Sequence, residues 1–194
     1  MSELVLPVGL AHKLETAFNR NGWTLAEVDK LCEGDVLAQH RKVLLGHAAI
    51  AVPEHLIDCD ANPFTPNGWK VEEHQKGGQF DWSADSVKFH LDPGQQDGKY
   101  IEGNKLRKQL SGKPVLNANV LDYLLKNPDL IPEDWKKDEK GNTRYIFFWG
   151  TIYRRSVGRL CVRYLYCDDG RWSWRSRWLV SGWGGGSPAA LRAS

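Results

Sequence analysis

The chain has 194 residues, 41% hydrophobic and 26% charged with nine tryptophans, a composition that predicts a folded protein and excludes a disordered one. No stretch approaches the roughly 20 consecutive apolar residues of a membrane-spanning helix, and residues 1–10 lack the basic and long apolar regions of a secretory signal. The expectation is a cytoplasmic protein with no membrane partner. The net charge of +2 conceals an asymmetry: residues 144–194 hold nine arginines, no lysine and two aspartates, a net of +7, which leaves −5 on the first 143 residues.

Leu10, Leu14, Ala17 and Phe18 recur at helical spacing, and Asn21-Gly22 supplies a stop. Thr24-Leu25-Ala26-Glu27 has the spacing of a capping box, in which a hydroxyl and a carboxylate each satisfy an amide at a helix start. A second helix is therefore predicted to about Cys32. Asp35 is the expected cap of a third, running through Val36, Val43 and Leu44 to Gly46. This helical segment, residues 1–50, reads either as a helix-turn-helix unit or as an ordinary helical cap. Its candidate recognition helix is not notably basic, which disfavours DNA reading.

A joint is expected within residues 47–54, followed by an α+β domain over residues 51–190. Pro53, Pro63, Pro66, Gly68, Gly77 and Gly78 predict loops and short strands. Val87–Leu91 alternates as a strand does and ends at Asp92-Pro93-Gly94. Helices fit Asn104–Leu110, stopped by Gly112, and Val120–Lys126, capped by Asn119 and ended by Asn127-Pro128. Lys136–Asn142 reads as a solvated charged loop.

The period then changes to two. Tyr145–Tyr153, Arg159–Cys167 and Arg171–Val180 are strand-like, and the Asp-Gly between the last two is a strong hairpin signal. Gly184-Gly185-Gly186 is expected to loosen the chain before a partly ordered tail, Pro188–Ser194. The fold class is α+β: an N-terminal helical segment, a loop-rich middle with short helices, and a C-terminal antiparallel β-meander.

Alternation sorts the meander into faces. Trp172, Trp174, Trp178 and Val180 share one side of the third strand, and Arg175 and Arg177 the other; on the second strand Tyr164 and Tyr166 oppose Arg163. The expectation is an aromatic face and an arginine face. On the latter, Arg163, Arg175 and Arg177, with Arg154 and Arg155, would offer forked guanidiniums to phosphates or carboxylates. Exposed Trp or Tyr would stack on unpaired bases. The structural alternative is a buried aromatic core with arginines solvated or paired to the acidic N-terminal portion.

Asp58 and Asp60 lie on the same side of an extended segment, and with His74 they form a candidate site for a divalent metal. The competing reading has both aspartates capping a turn before Asn62-Pro63. Cys32, Cys59, Cys161 and Cys167 contain no Cys-x-x-Cys pair and read as buried free thiols. The phosphate-loop, dinucleotide, nucleophile-elbow and zinc-protease motifs are absent from the sequence.

His55-Leu-Ile-Asp-Cys-Asp-Ala-Asn-Pro-Phe, the Leu-Leu-x-Asn-Pro-x-Leu-Ile-Pro-Glu-x-Trp run ending at Trp135, and Phe147-Phe-Trp-Gly-Thr-Ile-Tyr-Arg resemble the wording of a family of uncharacterised bacterial proteins. The resemblance implies one coherent unit over residues 53–190 and carries no activity, cofactor or functional residue. Three functions are therefore expected in order: a non-enzymatic binding or regulatory protein that engages nucleic acid or an acidic protein surface through the arginine face; a metal-dependent hydrolase or nuclease using Asp58, Asp60 and His74; and an interaction module with exposed Trp. A divalent metal is the one cofactor considered, and only for the second.

Overall fold

The computed structural model describes residues 4–50 and 54–193, and the chain divides into two compact units, Met1–Val52 and Pro53–Ser194. The first holds three helices, α1 (Val8–Arg20), α2 (Leu25–Leu31) and α3 (Val36–Leu44). The capping box forms as expected: the Thr24 amide donates to Glu27 Oε2 at 2.7 Å and the Glu27 amide to Thr24 Oγ1 at 3.3 Å. Asp35 precedes α3, but its side chain caps nothing; its backbone, at φ −96° and ψ 13°, has left the extended conformation that turns a cap side chain toward the helix amides. No residue of the three helices is buried.

The second unit is α+β. Its strands are β1 (Leu56–Asp58), β2 (Trp69–His74), β3 (Gln79–Asp81), β4 (Val87–His90), β5 (Ile101–Glu102), β6 (Ile146–Arg155), β7 (Leu160–Asp168), β8 (Arg171–Trp178), β9 (Gly182–Trp183) and β10 (Ala189–Arg192). Two helices interrupt them, α4 (Gly103–Leu110) and α5 (Ala118–Lys126). The predicted meander is present as β6-β7-β8, antiparallel throughout. It forms part of a six-stranded sheet in the order β4-β10-β6-β7-β8, with β2 paired to the far half of β6. The pairs β1-β3 and β5-β9 stand apart.

Two expectations are corrected. The C-terminal segment is not a loose tail: Ala189–Arg192 pairs antiparallel with β4 and parallel with β6, and Ala189, Ala190 and Leu191 are buried. The triglycine link is held by Gln95, itself buried, whose amide donates to Gly184 O at 3.2 Å and Ser187 O at 3.0 Å. The cap of α5 is Asn117 rather than Asn119, with its side chain accepting from the Asn119 amide at 3.1 Å. Asn119 instead ties down the β1 loop by donating to Asp58 O at 2.9 Å and Ala61 O at 2.8 Å.

The sheet carries a core on each face. On one, Ile146, Phe148 and Leu165 pack with Val120, Leu121 and Leu124 of α5 and with Trp82 and Trp135. On the other, Phe147, Trp149, Ile152 and Val162 pack with Leu106 and Leu110 of α4 and with Leu179 and Trp183. Burying each such side chain contributes roughly 1.5–3 kcal/mol. Gly150 lets α5 approach β6, because a β-carbon there would lie 2.8–3.0 Å from three atoms of Asn117.

Candidate anion-binding face of the sheet

The hairpin between β7 and β8 decides which arginines belong together. Asp169 and Gly170 are its two loop residues, both at positive φ (47° and 74°), as a two-residue primed turn requires. This closes the ladder at Asp168↔Arg171, so every even residue of β7 faces an odd residue of β8. Tyr164 is opposite Arg175, Val162 opposite Arg177, Leu165 opposite Trp174 and Arg163 opposite Ser176. Directly paired residues share a face. Arg163 therefore lies on the tryptophan side, and Arg175 and Arg177 share their side with Tyr164 and Tyr166. The expected separation into an aromatic face and an arginine face is wrong, because alternation within one strand says nothing about its register with the next.

Arg163 is unavailable to a ligand. It is 1% exposed, donates to both carboxylate oxygens of Asp122 on α5 at 2.6 and 3.0 Å, and lies 4.1 Å from the Trp174 ring centroid and 5.4 Å from that of Phe64. Arg154 is also engaged: its Nε donates to Glu72 at 2.8 Å, its Nη1 to Gly158 O at 2.8 Å, and the pair holds the Glu72 carboxyl below its ordinary range. Arg155 sits between two rings, 4.9 Å from Trp69 and 4.8 Å from Trp178, and so ties β2 to β8 by cation–π contacts. These three arginines serve the fold.

Arg175 and Arg177 are placed differently. With Tyr145, Tyr164, Tyr166, Phe147, Thr143, Cys167 and Asp168 they line an open concavity of about 430 Å³. Arg175 is exposed and makes no hydrogen bond or ion pair among the described residues; its guanidinium lies 5.2 Å from the Tyr166 ring centroid. Arg177 is oriented by one bond, Nη2 to Gly182 O at 2.6 Å, and by the Trp183 ring at 5.6 Å. The three tyrosine rings form a cluster, with Tyr145 5.5 Å from Tyr164 and 6.1 Å from Tyr166. Burial raises the Tyr164 phenol above its usual range, so it stays a protonated donor, with Arg175 opposing that rise.

Asp58, Asp60 and His74 come near one another and are all spoken for. Asp58 Oδ1 accepts from the Asp60 and Ala61 amides at 2.9 and 3.2 Å, and Asp60 Oδ1 from the Gly77 and Gly78 amides at 3.0 and 2.9 Å. Those bonds, led by Gly78, lower the Asp60 carboxyl. His74 Nε2 faces Cys59 O at 3.1 Å, and a carbonyl only accepts, so this nitrogen carries the proton. Its Nδ1 therefore accepts from Thr151 Oγ1 at 2.9 Å, while that hydroxyl accepts from the Ala118 amide at 3.0 Å. Among the described residues, no group of three His, Cys, Asp or Glu is arranged to hold a metal ion. Asp58 caps the turn before Asn62-Pro63, as the competing reading had it, whereas Asp60 does not: it holds the Gly77-Gly78 loop, which is distant in sequence.

Four tryptophans, Trp82, Trp135, Trp149 and Trp183, are buried. Trp69 and Trp178 are half-buried against Arg155, Trp174 against Arg163 and Trp172 against the core beneath α5, and Trp23 of the first unit is 38% exposed. All four cysteines are free; Cys59 and Cys161 are buried, with thiols pushed up to about 11 by burial, whereas Cys32 is exposed and Cys167 half-buried. Neither a family model, nor a curated protein, nor a solved structure matches this chain.

Sequence reasoning missed Tyr145 as a neighbour of the arginines, and Asp122 as the partner that removes Arg163. The two-residue Asp-Gly loop implies even-to-odd pairing and so puts Tyr164 and Tyr166 beside the arginines within reach of the sequence, but Tyr145 depends on the β6-β7 register, which is irregular. The Asp122 contact depends on how α5 crosses the sheet, and no local pattern encodes that.

Proposed function

We propose that this protein is a binding or regulatory protein that engages an anionic partner through the Tyr145, Tyr164, Tyr166, Arg175 and Arg177 face of its sheet. The observation that carries the reading is Arg175: an exposed guanidinium on the β7-β8 hairpin, without an acidic partner among the described residues, in a concavity lined by a second arginine. Arginine at such a site offers a planar fork matched to phosphate or carboxylate oxygens. Asp168 on the same rim is opposed across the ladder by Arg171, so the local balance is positive.

The test is binding of the purified chain to heparin and to oligonucleotides across a salt series, with Arg175→Glu combined with Arg177→Glu as the control. Expected is a linear fall of log affinity with log salt, with binding and slope both reduced in the variant. Absence of binding to every polyanion at low salt, or equal binding by the variant, overturns the reading.

A further inference from the structure

The partner's chemistry can be narrowed further, on the basis of the reading above. We infer that the face is built for single-stranded nucleic acid, with unpaired bases on the tyrosines and backbone phosphates on the arginines.

Three observations carry this. The first is the arrangement of the side chains. Tyr164 and Arg175 are directly opposite on adjacent antiparallel strands; Tyr166, opposite Ser173, lies two residues further toward one end of the ladder, and Arg177, opposite Val162, two residues further toward the other. Side chains two apart on a strand repeat at about 7 Å, so a row of rings along β7 runs beside a row of guanidiniums along β8. A partner bearing only charge would use the arginines and leave the exposed Tyr145 ring beside them without a role. A partner with a π-face and a phosphate in each repeating unit uses both.

The second is the state of the tyrosines. Tyr145 is 37% exposed, and no hydroxyl of Tyr145, Tyr164 or Tyr166 makes a hydrogen bond among the described residues. None of these oxygens is a buried orphan, so the hydroxyls of the half-buried Tyr164 and the largely buried Tyr166 reach solvent. Three phenol hydroxyls facing outward can donate to base edges or phosphate oxygens. Tyrosines held only for the core would ordinarily turn their hydroxyls to a protein acceptor, as Tyr153 does to Phe64 O at 3.0 Å.

The third is shape. The concavity, about 430 Å³ and open to solvent, falls within the roughly 300–1,000 Å³ range of ligand sites. In a duplex the base faces are stacked and the strands are stiff, so a shallow recess on a sheet reaches only phosphates. An unpaired strand can turn a base into it.

The deciding experiment is fluorescence anisotropy at low salt with three labelled probes of equal length: oligothymidylate, the same backbone lacking bases, and a mixed-sequence duplex. Wild type, Tyr145→Ala and Arg175→Gln are compared; both sites are exposed, and circular dichroism verifies folding. Expected is binding of oligothymidylate about tenfold or more tighter than of the abasic strand, the scale of one stacked base. Tyr145→Ala should lower oligothymidylate affinity several-fold and leave abasic binding unchanged, while Arg175→Gln lowers both. Equal affinity for oligothymidylate and abasic strand, or tighter duplex binding, overturns the single-strand inference and leaves the anion-binding reading intact. Binding of heparin or an acidic peptide with none of oligothymidylate does the same. Binding of no polyanion overturns both.

Discussion

The guanidinium of Arg163 on β7 holds both carboxylate oxygens of Asp122 on α5, at 2.6 and 3.0 Å, beneath the face of Trp174. This contact joins helix to sheet and withdraws the most central arginine of the meander from any ligand. Removing one partner leaves the other charge uncompensated in a largely dry site, which costs about 3–5 kcal/mol. Asp122→Asn is therefore expected to lower the free energy of urea unfolding by roughly that amount. The double variant Arg163→Met with Asp122→Leu should recover most of the loss, because packed apolar side chains often replace a buried pair without cost. A loss below about 1 kcal/mol for the single variant, the range of surface pairs, would mean that the pair is solvated.

The β-carbon introduced by Gly150→Ala would lie 2.8–3.0 Å from the side chain and backbone of Asn117, which caps α5. Backbone atoms at a helix start cannot rotate away. The expected cost is about 1–3 kcal/mol, the scale of overpacking in a close-packed interior, read as a lowered thermal midpoint. An unchanged midpoint would mean that α5 approaches β6 less closely.

His74 gives the second unit a pH dependence of defined sign. Burial lowers its pKa from 6.5, and its Nδ1 accepts from Thr151, so the folded state holds it neutral. The unfolded chain binds the proton more readily, so the stabilising contribution is complete above about pH 6.5 and is lost as pH falls below it toward the lowered folded-state value. His90, also lowered chiefly by burial, acts in the same sense. Urea unfolding at pH 7.5 and 5.5 should show a loss on acidification that is smaller in His74→Gln; an equal loss in that variant would assign the effect elsewhere.

Deleting the chain from Ser187 onward removes β10, which lies between β4 and β6 and contributes Ala189, Ala190 and Leu191 to the two cores. It also takes away the Ser187 carbonyl that Gln95 holds. The truncated protein is expected to lose cooperative unfolding, or to be insoluble, since two strand edges and two core faces are opened together. A truncated chain that unfolds with the wild-type midpoint would return this segment to the status of a tail.

The elements that local pattern encodes were legible in the sequence. The Thr24-Glu27 box, the stops at Asn21-Gly22 and Gly112, the helix ending at Asn127-Pro128 and the Asp-Gly hairpin depend on a few adjacent residues, so their sequences suffice to predict them. What escaped depends on which elements meet. Ala189-Ala190-Leu191-Arg192 has little strand character of its own and becomes a strand because β4 and β6 offer it two edges. Arg163, Arg175 and Arg177 have the same spacing parity and the same chemistry, yet one is sealed against α5 while the other two line an open concavity with three tyrosines. The turn sets that division between the faces, and the crossing of α5 sets the burial. Side-chain chemistry was readable residue by residue; its availability was decided by strand register and helix placement, which are properties of the assembled sheet.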